Sequence, residues 1–378
     1  MKYFEIRDVI KKYPDMTMYI IFGERSNGKT YSCLDLCLEE YAATGAQTAY
    51  IRRSREDLKA SIVSELFASH IANGRFDKYF GKMELPWNCV RVKGGMVYPQ
   101  NVWYSDSGRR HSKTADSPML ITAALSTWMH SKGISFPKVR TVFFDEFLTN
   151  GLYLPDEVNI FQNLMSSFVR ERGDVRIFLI GNTVNKFSPY FSELGLTHVG
   201  EMKPGDSQVY TSSDGKAKYL VMLADKAGEK ASDKYFSIFG NETSKMITGG
   251  AWEMSAYPIT PSGFSVKKPN LLFFISFQGH LIRGDVLLTN NLYIVFSPAR
   301  NSNMYNGLER TDWYRENIVY TDFVSRYEYD WFCLTHRNDK LTKAILSAIR
   351  EGRVYFANNE TGDLLSSYLK WCDSYKVV

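Results

Sequence analysis

Gly23-Glu-Arg-Ser-Asn-Gly28-Lys29-Thr30 fits the pattern G-x-x-x-x-G-K-[ST], and no other stretch constrains the fold as strongly. A phosphate-binding loop of this kind works only between a strand and a helix. Its backbone N–H groups close around a phosphate chain, and the helix N-terminus adds partial positive charge. Both flanks comply. Met16 to Phe22 is a strand-like apolar run, and Tyr31 to Tyr41 repeats Leu34, Leu38 and Tyr41 at helical spacing. Within the loop, Gly23 and Gly28 permit close backbone approach, Lys29 suits the β- and γ-phosphates, and the Thr30 hydroxyl suits Mg²⁺. Arg25 and Asn27 lie in the same loop and join the nucleotide-binding candidates.

The chain has 378 residues, enough for two domains or three modules. With 44% hydrophobic and 23% charged residues it has the composition of an ordinary globular protein. A net charge of +5 permits a polyanionic partner without requiring one. Cys33, Cys37, Cys89, Cys333 and Cys372 form no C-x-x-C, and the six histidines are scattered, so neither a disulfide framework nor a zinc site is expected. Cys33 and Cys37, one turn apart, read as buried thiols of a reducing compartment. Glu5, Asp8, Lys11 and Lys12 interrupt the first apolar pieces, which excludes a secretory signal pattern. Leu271 to Phe277, the densest apolar run, is too short to span a bilayer and reads as a buried strand.

Strand-like and helix-like segments alternate through the first half, which implies a mostly parallel sheet covered on both faces. Thr48 to Ile51 is a second strand. Ser54 and Asp57 outline a capping box before a helix with Leu58, Ile62, Leu66 and Phe67 on one face. Lys93-Gly94-Gly95 between apolar runs marks a hairpin. Asn101 to Tyr104 is a further strand candidate, Ser105 to Ser117 reads as a loop, and Met119 to Leu125 is apolar. Thr141-Val-Phe-Phe-Asp145-Glu146 is an apolar strand ending in two carboxylates. Pro155 opens a helix that ends near Gly173, and Val175 to Ile180 is a strand closed by Gly181-Asn182. Residues 190 to 265 read as a connecting module with some helix. A β-meander follows from Leu271, with Asn290-Asn291 as a turn, and then helix over Leu341 to Arg350.

Asp145 and Glu146 are the second chemical signal. An Asp at a strand end can hold Mg²⁺, and a neighbouring Glu can polarise a water for attack on the γ-phosphate. The distance in sequence from Lys29 leaves room for an intervening strand, the mark of additional-strand nucleotide hydrolases. Asn182 closes the next strand, where a polar side chain can touch the γ-phosphate or the attacking water; ordinary turn chemistry is the alternative. Arg170 and Arg172 end the preceding helix, where cations also simply favour the dipole. Spacing alone prefers that second account. Arg52, Arg53 and Arg55, and separately Lys132, could contact DNA phosphates or merely be solvated. Asn185-Lys186-Phe187-Ser188 has the outline of a guanine-reading motif, but Ser188 stands where an Asp is required.

Taken together, GERSNGKT, AYIRRSREDL, FPKVRTVFFDEF, LPDEVNIFQNLMSSFVRER and VRIFLIGNTVNKFSPYF resemble the genome-packaging ATPases of phi29-like short-tailed phages, relatives of large terminase subunits. The resemblance covers about residues 20 to 191. It implies a P-loop ATPase domain of additional-strand, RecA/terminase-like α/β type over 1–195, a linker or lid module over 196–265, and an α+β RNase H-like domain over 266–378. It implies ATP and Mg²⁺ as cofactors, and a homomeric ring, a pentamer, on the portal of a procapsid in the host cytoplasm, driving double-stranded DNA inward. Some members dock through a structural RNA, a further partner the resemblance leaves open; no membrane is implied. Lys29 and Thr30 match Walker A, Asp145 and Glu146 match Walker B and the catalytic glutamate, and Arg170 matches the trans-acting arginine finger. Arg25 matches an arginine inside the family's phosphate loop, and Arg55 and Lys132 fall near its DNA-gripping positions.

Large terminases use acidic residues on RNase H-like strands to hold two metals. The opening strand here, Leu271 to Phe277, carries Ser276 and no acid, while Asp285, Asp312, Asp322, Asp330 and Asp339 lie elsewhere. The expectation is a nuclease fold without nuclease chemistry, used for docking. The competing readings are a terminase with an active nuclease and a non-motor ATP-binding assembly switch.

Overall fold

The computed structural model describes residues 3–84, 86–128, 135–196, 198–212, 214–226, 238, 257–261, 265–299, 317–322 and 333–374. The chain forms two compact units. One comprises Met1–Thr149, Asp156–Val184 and Glu201–Trp252, the other Asn150–Pro155, Asn185–Gly200 and Glu253–Val378.

The first unit is built on one large sheet. In chain order its elements are α1 (Ile6–Lys12), β1 (Met18–Gly23), α2 (Lys29–Thr44), β2 (Gln47–Arg52), α3 (Ala60–Glu65), α4 (Ala68–Ala72), α5 (Arg75–Phe80), β3 (Cys89–Lys93), β4 (Met96–Tyr104), β5 (Arg110–Thr114), β6 (Leu120–Ala124), α6 (Leu125–Trp128), β7 (Val139–Asp145), α7 (Glu157–Val169), β8 (Arg176–Asn182), β9 (Ser207–Thr211) and β10 (Lys218–Leu223). The strand order is β3-β4-β6-β2-β7-β8-β1-β10-β9, with β5 on β4. From β6 through β10 every neighbouring pair is parallel. Parallel strands joined by helices are buried on both faces, which explains the unbroken burial of Tyr19–Phe22 and Val142–Asp145. The phosphate-loop helix α2 buries Cys33, Leu34, Cys37 and Leu38 against this sheet, so both cysteines are core thiols.

Three sequence expectations change here. Ser105 to Ser117 is not all loop: Arg110–Thr114 pairs antiparallel with Gln100–Tyr104, because β4 runs on past its first partner and its exposed edge takes a second one. The single helix expected through Leu58 to Phe67 breaks into a 3₁₀ turn at Arg55–Leu58 and the short α3 and α4. Val63 and Phe67 are buried, whereas Ile62 is exposed, so the apolar face is not continuous. The sheet also continues beyond residue 195. Tyr219 to Leu223 pairs in parallel with Tyr19 to Phe22, so part of the expected linker module is integral to the first unit.

The second unit contains a five-stranded sheet of order β14-β11-β12-β13-β15. The strands are β11 (Leu271–Phe277), β12 (His280–Leu288), β13 (Leu292–Pro298), β14 (Val319–Thr321) and β15 (Val354–Phe356). β11 to β13 form the expected antiparallel meander. A short helix α8 (Pro189–Glu193) belongs to this unit, and α9 (Lys340–Arg350) and α10 (Asn359–Ser374) cover the sheet. Its core gathers Phe273, Ile275, Ile294, Phe296, Tyr320, Ile345, Leu365 and Tyr368. No helix among the described residues is long and apolar enough to cross a membrane.

Candidate active site

Four neighbouring parallel strands end at one edge of the first unit's sheet: β2 at Arg52, β7 at Asp145, β8 at Asn182 and β1 at Gly23. That edge, at the strands' C-terminal ends, is where open α/β sheets bind ligands. β8 lies between β7 and β1, with Ile180 opposite Asp145 on one side and Asn182 opposite Gly23 on the other. The intervening strand inferred from the Lys29–Asp145 gap therefore exists in space, but it comes from after Asp145 in sequence. The strands within the gap, β2 to β6, lie on the far side of β7.

The loop between β1 and α2 has the conformation its residues require. Gly28 caps α2 with φ of 94°, in the left-handed region that favours glycine, and Ser26 has φ of 58°. A methyl group at Gly23 would sit 3.2 Å from the Ala224 Cβ. Lys29 is buried and donates from Nζ to the Glu24 carbonyl (2.7 Å), Asn27 Oδ1 (3.0 Å) and Asn182 Oδ1 (3.4 Å). Asn27 Nδ2 is buried with no hydrogen-bond partner among the described residues, an orphaned donor inside the loop.

The carboxylates are held just as closely. Thr30 Oγ1 donates to Asp145 Oδ1 and Oδ2 at 3.1 and 3.3 Å. Tyr50 donates to Asp145 Oδ2 at 2.9 Å, and the Glu146 backbone N–H donates to Oδ1 at 3.1 Å. Burial, and then the Asp145 charge, push the Tyr50 phenol well above its ordinary range, so it remains a donor. Glu146 has φ of 57° and leaves the strand with an exposed side chain. Arg52 reaches across from β2, placing Nη2 2.6 Å from Glu146 Oε2 and Nη1 3.5 Å from Asp145 Oδ2. Thr30 and Asp145 supply hard oxygen donors at one point, a donor set that fits Mg²⁺.

Arg53 turns inward as well. Its guanidinium spans both oxygens of the fully buried Glu157 side chain (2.8 and 2.9 Å) and donates to the Phe147 carbonyl at 2.7 Å. Glu157 opens α7, so this fork ties β2 to the start of the helix that follows the Asp145 strand. Arg52 and Arg53 thus serve carboxylates and are not free to contact DNA. Replacing Arg53 with alanine would remove the guanidinium fork from this buried carboxylate. A loss of about 3 kcal/mol is expected, read as a lower unfolding midpoint in urea. Unchanged stability would show that Glu157 finds another partner.

Of the other sequence-predicted residues, Arg25 is exposed in the phosphate loop and Arg55 is exposed at the start of the 3₁₀ turn. Lys132 lies outside the described residues. Arg170 is exposed at the C-terminus of α7 with φ of 33°, and Glu171 follows at 62°. Arg172 instead donates to the Pro137 and Val139 carbonyls at 2.9 and 2.8 Å, a purely structural fastening at the start of β7. Sequence reading missed Tyr50 and Arg52 as members of the site. Their signal was position, at the end of a strand now seen to lie beside β7.

Comparison with known proteins identifies relatives of this chain. The chain is 27% identical over 188 residues to the DNA packaging protein of Bacillus phage B103, covering 48% of this chain and 49% of the relative. It is 27% identical over 183 residues to the DNA packaging protein of Bacillus phage phi29, covering 47% and 46%. The chain thus spans about half the length of the curated relatives it matches. A solved structure of the bacteriophage Phi-29 viral genome packaging motor assembly shares the fold, with a TM-score of 0.57 and 19% identity over 98% of this chain and 100% of that one. The Phi-28 gp11 DNA packaging motor does so at 0.54 and 19%, over 100% and 99%. The profile of podovirus DNA encapsidation proteins (Gp16) matches residues 2–203, more than half of the sequence, and the chain belongs to that family.

Proposed function

We propose that this protein is an ATPase that packages double-stranded DNA, hydrolysing ATP with Mg²⁺ in a homomeric ring at the portal of a procapsid. One observation carries the reading. β8 lies between β7 and β1, and Lys29, Thr30, Asp145 and Asn182 meet at one sheet edge, with Thr30 hydrogen-bonded to Asp145. In this reading the loop N–H groups and the orphaned Asn27 amide bind phosphate oxygens, and Lys29 exchanges its carbonyl and amide partners for the β- and γ-phosphates. Thr30 and Asp145 hold Mg²⁺, which when bound neutralises charge on the phosphate oxygens. Glu146 takes the proton of the attacking water, and Asn182 orients that water or the γ-phosphate. Arg25 contributes within the loop, and Arg170 stabilises the transferring group in a neighbour's site. Arg55 and Lys132 are the DNA-contacting candidates.

The ring is proposed as a pentamer, working in the host cytoplasm and transiently on the procapsid, and a structural RNA is a further proposed partner. The three domains are proposed to follow the sequence division, with the first extended to take in β9 and β10. The C-terminal unit is proposed as a docking domain without nuclease activity. Two features support that: Ser276 occupies the opening strand opposite Thr321, and Asp285 is engaged by Arg283 at 2.7 Å. The test is packaging of double-stranded DNA into purified procapsids with this protein and ATP. Nuclease-protected DNA that depends on ATP is expected. ATP turnover that responds to neither DNA nor procapsids would overturn the motor reading in favour of an assembly switch.

A further inference from the structure

The β3–β4–β5 corner carries an unexplained concentration of charge. Residues 89–114 contain five cations, Arg91, Lys93, Arg109, Arg110 and Lys113, against the single carboxylate Asp106. That surplus of four compares with a net charge of +5 for all 378 residues. Side chains alternate between the two faces of a strand. On one face of β4, Val97, Pro99 and Asn101 are buried toward the core. The other face carries Met96, Tyr98, the buried Gln100, Val102 and Tyr104, and the pairing register places a cation directly across from Met96, Tyr98 and Tyr104. Lys93 lies opposite Met96, Arg91 opposite Tyr98 and Arg110 opposite Tyr104. Arg91, Lys93 and Arg110 are exposed, and none has a carboxylate partner among the described residues. Tyr104 is 67% exposed.

Exposed cations set beside aromatic rings match the chemistry of nucleic acid. Arginines take phosphate oxygens and tyrosine rings take the faces of bases. Duplex DNA buries its base faces in the stack, so a duplex would use the cations and leave the rings idle. Unpaired bases use both. Tyr98 and Tyr104 are six residues apart along the strand, roughly 20 Å, so the face can follow an extended strand rather than a single base.

We propose that the exposed face of β3–β4–β5 binds single-stranded DNA, stacking unpaired bases on Tyr98 and Tyr104 while Arg91, Lys93 and Arg110 hold the phosphates. The proposal rests on the reading that this protein handles DNA. It adds a site separate from Arg55 and Lys132 and from the nucleotide loop.

Fluorescence anisotropy with labelled oligo-dT, oligo-rU and a duplex of equal length tests it on the full-length protein. Tyr104→Ala is expected to weaken oligo-dT binding roughly tenfold, Tyr104→Phe to keep it, and Arg110→Ala to lower the salt dependence. ATP binding is expected to be unchanged in all three, which establishes that they fold. Wild-type oligo-dT affinity in Tyr104→Ala would overturn the proposal. So would an equal loss for the duplex, or tenfold tighter binding of oligo-rU. If instead the unsubstituted protein binds oligo-dT through this face but shows no duplex-dependent turnover or packaging, the packaging reading fails and the site stands.

Discussion

Glu146→Gln is expected to bind ATP as the unsubstituted protein does and to hydrolyse it about 100- to 10,000-fold more slowly. That is the usual contribution of a positioned general base, about 3–5 kcal/mol of barrier. The substitution is conservative for the structure. Glu146 is exposed, and its only close side-chain partner among those described above, Arg52, can donate to an amide oxygen as it does to the carboxylate. What the amide cannot do is take a proton. Arg52 engages Oε2, so in the proposed role Oε1 is the oxygen that faces the water, and Arg52 bears on the rate through the same carboxylate. Nucleotide affinity by a fluorescent ATP analogue and phosphate release on the same preparation separate the two effects. Turnover within a few-fold of normal would remove Glu146 from the base role and leave the phosphate loop untouched.

The parts of this site that were legible in the sequence share one property: each is a short pattern whose local structure and chemistry coincide. Gly23 to Thr30 and Asp145-Glu146 could be read because a strand must end where the functional residue begins. Tyr50 and Arg52 could not, because their role depends on β2 lying beside β7, and the order of parallel strands is not a local property. The same reason misplaced the intervening strand, which follows Asp145 in sequence yet sits between β7 and β1. It also hid β10. Lys218 to Leu223 follows a polar, Gly- and Ser-rich stretch that reads as linker, and only pairing with β1 makes it part of the first unit. In the C-terminal unit the meander was legible from Leu271 onward, since hairpin pairing is local. The parallel additions of β14 to β11 and of β15 to β13 were not.

Arg170→Ala is expected to slow turnover about 1,000-fold or more, the scale of an arginine finger, and to be rescued in mixed rings. The proposed role places Arg170 in a neighbour's site, and its position on α7 supports that reading. α7 starts beside the edge that carries Lys29 and Asp145, where Glu157 meets Arg53, and then runs back along the sheet to deliver the chain to the beginning of β8. Arg170, at its C-terminus, therefore lies at the opposite edge, where Arg172 fastens to the Pro137 and Val139 carbonyls at the start of β7. A helix of 13 residues spans roughly 20 Å, far beyond the reach of an arginine side chain to its own phosphate loop. Arg170 and Glu171 also both have left-handed φ, a strained way to end a helix that fixes where the exposed guanidinium begins. If Arg170 serves the adjacent subunit, a Glu146→Gln subunit can lend its intact arginine to the intact Glu146 of an Arg170→Ala neighbour. Mixing the two inactive proteins should then restore turnover, rising to a maximum near equal proportions. Inactivity at every ratio, with assembly of mixed rings confirmed by mass, would remove Arg170 from the trans role and leave it as the residue that ends α7.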